Sequence, residues 1–358
     1  MGLTMGIIGL PNVGKSTLFN ALTGAGALVA NYPFATIDAN TGVVPIPDPR
    51  LDHLAELVGA KKKTPATVTF VDIAGLVEGA SQGEGLGNRF LAKVRDVNAL
   101  CHVVRAFDAP SVVRVTPADP VGDIEIVETE LVLADLETVE RRLPRLEKSA
   151  TADSRLRPQV ELLQQAERLL SGDPLRQHPD LVARLREVSE FNLLTTKEVV
   201  YVFNGDEALL ANSDRKSELA SAVAPSPAVF IDAELEAELA DLDPEDRTEL
   251  LASVGQDEPG LHAVIRAAFA ALELQTFITV RGTETRAWTI PVGATAYEAA
   301  GAVHSDFQRG FVAAEVIDYQ TLAEVGSWQA ARSKGLIRTE GRDYVMQPDD
   351  VVEFRFNL

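Results

Sequence analysis

Gly9-Leu10-Pro11-Asn12-Val13-Gly14-Lys15-Ser16 sets a lysine, a hydroxyl and two glycines at the spacing of a phosphate-binding loop. The backbone amides of Asn12, Val13, Gly14, Lys15 and Ser16 are expected to wrap a β-phosphate, and Lys15 to supply a point charge to the β- and γ-phosphates. Gly9 and Gly14 permit tight turns and close approach of phosphate oxygens. The Ser16 hydroxyl is the expected Mg²⁺ ligand, and Thr17 is placed to touch the α-phosphate. The chemistry implied is binding and hydrolysis of a nucleoside triphosphate with Mg²⁺.

Three further positions belong with that loop. Asp72-Ile73-Ala74-Gly75 follows the apolar run Val68–Val71, where a carboxylate can hold Mg²⁺ through water and the Gly75 amide can meet a γ-phosphate. Gly79, Gly83, Gly85 and Gly87 follow within nine residues. That stretch reads either as a segment that moves on loss of the γ-phosphate or as a fixed surface loop. Thr36 lies between the loop and Asp72 and is the candidate for a second Mg²⁺ hydroxyl; a purely structural threonine fits the sequence equally well.

Asn204-Gly205-Asp206-Glu207 follows the apolar run Val199–Phe203 and stands where guanine-specific proteins of this kind carry Asn-Lys-x-Asp. Gly205 replaces the lysine, and Glu207 moves the carboxylate out by one methylene. A misplaced acceptor leaves polar groups of guanine unpaired. Adenine has no N1–H to satisfy, and Asn204 with nearby carbonyls can receive its 6-amino group. ATP is therefore expected over GTP. Asp206 as a guanine acceptor in a shifted register is the competing reading.

Leu76 follows Gly75, where a glutamine commonly orients the attacking water. Leucine cannot do so. Lys15, Thr36 and Gly75, with Mg²⁺, are left to position and stabilise the reacting phosphate, and intrinsic turnover is expected to be slow. His102 sits in the apolar run Ala99–Val104 and reads as a core histidine; His304 has no metal-binding company.

The elements that carry these residues are short continuous apolar strands at 5–8, 68–71, 99–106, 199–203 and 228–231, each followed by a polar loop. Such strands make a sheet covered on both faces, with ligands at its carboxyl edge. Between the third and fourth strands an apolar period of three and four residues runs through Val127, Leu131 and Ala134. It continues through Val139, Leu143 and Leu146, and returns at Val160, Leu163 and Ala166 and at Leu181, Leu185 and Val188. This predicts two long antiparallel helical arms, the second broken near Gly172-Asp173-Pro174 and the first strained at Pro144; core packing of an ordinary helical subdomain is the alternative. Beyond Leu274, strands at 275–280, 285–290, 310–316 and 351–356 suggest a compact mixed domain with Trp288, Phe311 and Phe354 in its core.

The chain has 358 residues and a net charge of −20. Its acidity is concentrated: residues 191–274 hold 5 basic and 17 acidic side chains, whereas 136–190 hold 10 of each. DNA is not an expected partner. Local RNA contact through Arg141, Arg142 and Arg145, or a merely solvated helix face, both fit the balanced segment. No apolar run is long enough to span a membrane, and no signal segment precedes the phosphate loop. Cys101 is the only cysteine and reads as a buried thiol, so a reducing, cytoplasmic setting is expected.

These motifs together resemble the Obg-like ATPase (YchF) family over essentially the whole chain. The resemblance rests on Gly9–Ser16 with Asn31–Asn40, and on Val71–Val77 with Gly79-Ala80 and Gly83–Asn88. Asn204 with Glu207, and Arg286–Ile290 through His304, Asp306, Gly310 and Phe311, complete it. It implies an α/β fold: a P-loop NTPase (G-protein-like) domain at 1–125 and 191–274, an inserted α-helical coiled-coil arm at 126–190, and a C-terminal β-grasp TGS domain at 275–358. It also implies ATP hydrolysis, with GTP weaker, and association with the ribosome, through the large subunit or the whole particle, in translation or stress response. Leu76 matches the hydrophobic residue this family carries in place of glutamine. Asn12 resembles a loop asparagine that ligates K⁺ in some related proteins, which makes K⁺ a candidate second cation. Arg114 stands where many bacterial members have a histidine, so histidine-based catalysis is not expected; Ala35 replaces a common cysteine.

Overall fold

The computed structural model describes residues 3–24, 40–73, 86–107, 119–188, 190–254 and 256–357. Ala35, Thr36, Gly75, Leu76, Gly79, Gly83, Gly85 and Arg114 lie outside the described residues.

The strands are β1 (Thr4–Ile8), β2 (Thr41–Pro45), β3 (Lys62–Thr64), β4 (Thr67–Asp72), β5 (Ala99–Arg105), β6 (Val199–Asn204), β7 (Ala228–Ile231), β8 (Leu274–Arg281), β9 (Glu284–Pro291), β10 (Phe311–Asp318), β11 (Arg338–Glu340) and β12 (Asp350–Phe356). They form two sheets, ordered β2-β4-β1-β5-β6-β7 and β11-β10-β12-β8-β9-β3. The chain divides into two compact units, residues 1–43 with 69–272 and residues 44–68 with 273–358.

In the first unit β4, β1, β5, β6 and β7 run parallel. Met5, Ile7, Phe70, Leu100, Val103, Val200, Val202 and Phe203 are almost fully buried, as strands covered on both faces require. The five strands expected from the sequence are present; β2 was not anticipated, because Thr41-Gly42-Val43-Val44-Pro45 is short and carries a glycine and a proline. Parallel pairing brings the ends of β1, β4 and β6 to one edge. Ile7 pairs with Asp72, Ile8 with His102, and Arg105 with Asn204. Helix α1 (Lys15–Gly24) starts directly after the β1 loop and buries Leu18, Ala21 and Leu22.

The order of helices after α1 is α2 (Pro49–Leu57), α3 (Leu86–Asp96), α4 (Pro120–Ala152), α5 (Arg157–Leu169) and α6 (Pro179–Arg186). Helices α4 to α6 form the insertion between β5 and β6. Asp119 caps α4 through the Gly122 amide, Pro120 follows at the first turn, and the helix runs 33 residues through Pro144 without ending there. Only one amide is lost at the proline, and Leu143 and Ala150 on either side stay packed. The chain turns at Asp153, whose side chain accepts from the Arg155 amide, and α5 packs back on α4. Val139, Leu143, Leu162, Leu163, Ala166, Leu170, Leu175, Leu181, Val182 and Leu185 share one core. The expected break at 172–174 is there: Leu175 opens a single 3₁₀ turn before α6.

The second unit has its own core, centred on Phe277, Ala300, Ala314, Val316 and Val352. Phe277 meets Phe354 edge-on with centroids 5.9 Å apart. Trp288 and Phe311 border this core rather than fill it; the Trp288 Nε1–H reaches the Thr279 hydroxyl at 2.8 Å, which holds the indole at a polar margin. Residues 44–68 precede Asp72 in the sequence yet fold here. β3 pairs in parallel with β9, and Arg50 at the start of α2 donates to Thr276 Oγ1 at 2.9 Å and to Asp349 at 2.8 Å. A guanidinium has donors enough to join its own cap residue Asp48 and both distant acceptors.

Candidate functional site

The β1 loop is held in a conformation that few residues tolerate. Gly9 has φ +145°, Asn12 +61° and Gly14 +97°. A Cβ on Gly9 would lie 2.4 Å from the Val103 carbonyl oxygen, so backbone from β5 presses directly on the loop. A Cβ on Gly14 would lie 2.3 Å from Nδ2 of Asn204. Glycine is needed at both places for space as well as for φ.

Lys15 opens α1 with its side chain buried, and its ammonium donates to the Leu10 carbonyl at 2.6 Å. Burial pushes its pKa down to about 8, while the Asp72 carboxylate pulls it back up. Ser16 is exposed and Thr17 half-buried on the first turn of the same helix, and Asp72 is half-buried at the end of β4. Among the described residues neither the Ser16 hydroxyl nor the Asp72 carboxylate is taken by a protein hydrogen bond. The Asp72 amide is tied to the Asn40 carbonyl at 2.8 Å, which fixes the strand end. A hydroxyl and a carboxylate beside a phosphate loop are hard oxygen donors suited to Mg²⁺, which keeps most of its shell as water and phosphate oxygens. Among the described residues there is no cluster of three or more acidic, histidine or cysteine side chains able to hold a metal alone.

Asn204 does something the sequence did not disclose. Its Nδ2 donates to the Val13 carbonyl at 3.1 Å, and its Oδ1 accepts from the Ala233 amide at 3.0 Å. It therefore straps the end of β6 to the phosphate loop and to the turn after β7. The Oδ1 that was expected to face an adenine amino group has one lone pair committed. Asp206 caps the helix Glu207–Ala211 by accepting from the Leu209 amide at 3.0 Å, so the shifted-register acceptor for guanine serves locally as a helix cap. Glu207 is exposed on the first turn of that helix, and the Gly205 amide donates to the Ile231 carbonyl at 2.8 Å.

His102 is buried as expected. Burial brings its pKa down to about 4, and Nδ1 has no hydrogen-bond partner among the described residues. Cys101 beside it is fully buried, which pushes its thiol up to about 12. Neither group meets solvent. Of the arginines considered for RNA contact, Arg141 and Arg145 are exposed, whereas Arg142 is half-buried and donates to the Glu190 carbonyl.

The depressed Lys15 pKa has a measurable consequence. A triphosphate beside the ammonium favours its charged form, so the bound pKa exceeds the free value near 8. Binding then takes up a proton only above that pH. Affinity for a nucleoside triphosphate should be flat from about pH 7 to 8 and fall above it, approaching about tenfold per pH unit. Fluorescent-nucleotide titrations across that range read this directly; an affinity that stays constant to about pH 9.5 would show that Lys15 carries no such change.

Residues 4–139 match the family described as 50S ribosome-binding GTPase. Residues 274–357 match the YchF GTPase C-terminal family, described as a protein of unknown function. The chain is 46% identical to the ribosome-binding ATPase YchF of Haemophilus influenzae and 44% identical to that of Bacillus subtilis, each over 100% of both chains. The solved structure of the Schizosaccharomyces pombe YchF GTPase superposes with a TM-score of 0.88 at 34% identity, covering 99% of this chain and 97% of that one. Shared sequence over the full length, a shared fold and an intact phosphate loop lead to one conclusion: this chain belongs to the YchF family.

Proposed function

We propose that the protein is a ribosome-associated ATPase that hydrolyses ATP to ADP and phosphate and acts as a nucleotide-dependent switch in translation or stress response. The observation that carries this reading is Lys15, buried at the root of a loop of positive-φ residues with Asp72 at the neighbouring strand end. Backbone amides of residues 12–16 and the Lys15 ammonium bind the phosphates, and α1 points its positive end at them. Ser16, Thr36 and, through water, Asp72 would hold Mg²⁺, which would supply charge neutralisation at the phosphates; the Gly75 amide would meet the γ-phosphate, and Asn12 is a candidate ligand of K⁺. ATP is preferred over GTP because Asp206 is turned to its helix cap and Glu207 carries its carboxylate on a longer, exposed side chain. The names of the relatives, ribosome-binding ATPases, support the same substrate and partner.

Turnover is slow without a partner. Leu76 cannot orient water, and His102 is sealed in the sheet with its pKa lowered to about 4, so no general base is available from these two positions. Contact with the ribosome is assigned to the helical arm at 126–190 and the TGS module at 275–358, because the 17 acidic side chains of 191–274 repel an RNA surface. Among the described residues no helix is long and apolar enough to cross a membrane, which is compatible with a cytoplasmic protein. Steady-state ATP hydrolysis with and without purified ribosomes tests the reading. Acceleration of about tenfold or more is expected, since partners supply missing transition-state contacts in this class. Tight ATP binding with turnover that ribosomes leave unchanged would make the protein a nucleotide-gated binder instead.

A further inference from the structure

Helix α3 follows the Asp72-Ile73-Ala74-Gly75 segment, and its far end is joined to the helical insertion by side chains that the nucleotide site does not use. Lys197 precedes β6 with its ammonium buried. It donates to the Arg95 carbonyl at 3.0 Å and to the Val97 carbonyl, and so caps the last turn of α3 and the residue beyond it. Burial brings its pKa down to about 8, against the pull of Asp135 and Asp96.

The segment carrying Lys197 is itself held from α4. Asp135, with no exposed surface, accepts from the Leu194 amide at 2.7 Å, the Thr195 amide at 2.8 Å and the Thr195 hydroxyl at 2.7 Å. A second connection runs directly from α3 to α4, where Arg95 Nη2 donates to the Thr138 hydroxyl at 3.1 Å. Thr138 lies one turn beyond Ala134, whose carbonyl its hydroxyl bonds at 2.9 Å, so the contact sits on the same stretch of α4 as Asp135. The rest of the insertion grips the same segment. Arg176 donates to the Lys197 carbonyl at 3.1 Å and pairs with Glu128 of α4, and Arg186 of α6 donates to the Thr196 carbonyl at 2.9 Å.

Residues 193–198 are thus bonded on one side to the end of the helix that follows Asp72, and on the other to α4, α6 and the turn between α5 and α6. A buried lysine and a buried carboxylate are a costly way to anchor a simple crossover. A hydrophobic turn would hold the strand with less desolvation, but it would not bond α3 and α4 through one short segment.

We propose that Asp135 and Lys197 are positioning residues that couple α3 to the helical insertion, so that the nucleotide state sets the insertion and a partner bound there acts back on hydrolysis. This rests on the ATPase reading above. Energetic coupling is reciprocal, so the link is readable from the nucleotide side without any partner.

The test is amide hydrogen exchange of the full chain with ADP and with a non-hydrolysable ATP analogue, in wild type, Lys197→Met and Thr138→Val. Nucleotide affinity is measured first on the same samples. Thr138→Val removes the bond from Arg95 and the hydroxyl's bond to its own helix while keeping the side-chain shape, so it remains informative if Lys197→Met does not fold. In wild type the exchange of α4 amides near residues 131–139 should differ between the two nucleotides by about fivefold or more. In Lys197→Met the difference should persist in α3 and disappear from α4, and in Thr138→Val, which leaves the Lys197 link in place, it should persist in α3 and shrink in α4, with affinity and ribosome-free turnover unchanged. A purely structural anchor would lower stability in both nucleotide states and leave the difference intact. An α4 response that survives in both variants, or its absence in wild type, overturns the proposal. Failure of wild type to bind ATP would instead overturn the ATPase reading on which it rests.

Discussion

Lys15→Ala should lower ATP turnover by about 10²–10³-fold, the usual cost of removing one charge-stabilising donor from a water-poor reacting centre. The side chain is already committed before nucleotide arrives, since its ammonium rests on the Leu10 carbonyl at 2.6 Å inside the loop. On the proposed reading it meets the β- and γ-phosphates from that position. The same substitution should leave the thermal midpoint of the nucleotide-free protein within a few degrees of wild type. Burial disfavours the Lys15 charge, as its lowered pKa records, so removing the ammonium relieves desolvation as it sacrifices packing. Single-turnover hydrolysis and thermal unfolding of the same preparation check both halves. Turnover that survives the substitution would mean that the phosphate charge is met elsewhere.

Gly14→Ala should be nearly as damaging by a different route. At φ +97° an alanine is strained whatever the surrounding space, and its Cβ would sit 2.3 Å from Asn204 Nδ2. Strain of this kind costs roughly 1–3 kcal/mol. Displacing Asn204 also breaks its bond to the Val13 carbonyl, worth about 1 kcal/mol. A combined penalty of about 2–4 kcal/mol corresponds to about 30- to 1,000-fold in nucleotide affinity, if it falls on the binding-competent loop. Equilibrium titration measures this, and denaturant unfolding apportions it between loop and fold. An affinity within twofold of wild type would show that the loop can bind phosphate in a second conformation.

The parts of this protein that were legible in its sequence are those whose signal is local. Gly9, Gly14, Lys15 and Ser16 specify a loop by residue type and spacing, because backbone conformation and charge are both dictated within eight residues. The parallel sheet follows from continuous apolar runs ending in polar residues, and the long insertion from its three-and-four spacing. The burial of His102 and Cys101 follows from the run that contains them. What could not be read depends on partners distant in sequence. Asn204 is a plausible base contact by motif, yet its amide bridges Val13 and Ala233, which no local pattern reports. Asp135 and Lys197 resemble ordinary surface charges in a helical period and before a strand; burial and mutual proximity through residues 194–196 give them their role. Between β2 and β4 the chain contains a capped helix and a three-residue strand, and the pairing of Lys62–Thr64 with β9 spans more than two hundred residues.

The measurement that bears most directly on the account is equilibrium affinity for non-hydrolysable ATP and GTP analogues, side by side with Mg²⁺. The ATP analogue should bind more tightly, because Asp206 is engaged in capping and the guanine-type Lys and Asp positions are filled by Gly205 and Glu207. Tighter binding of the GTP analogue would contradict it, return Asp206 to the base site, and make the protein a GTPase within its family.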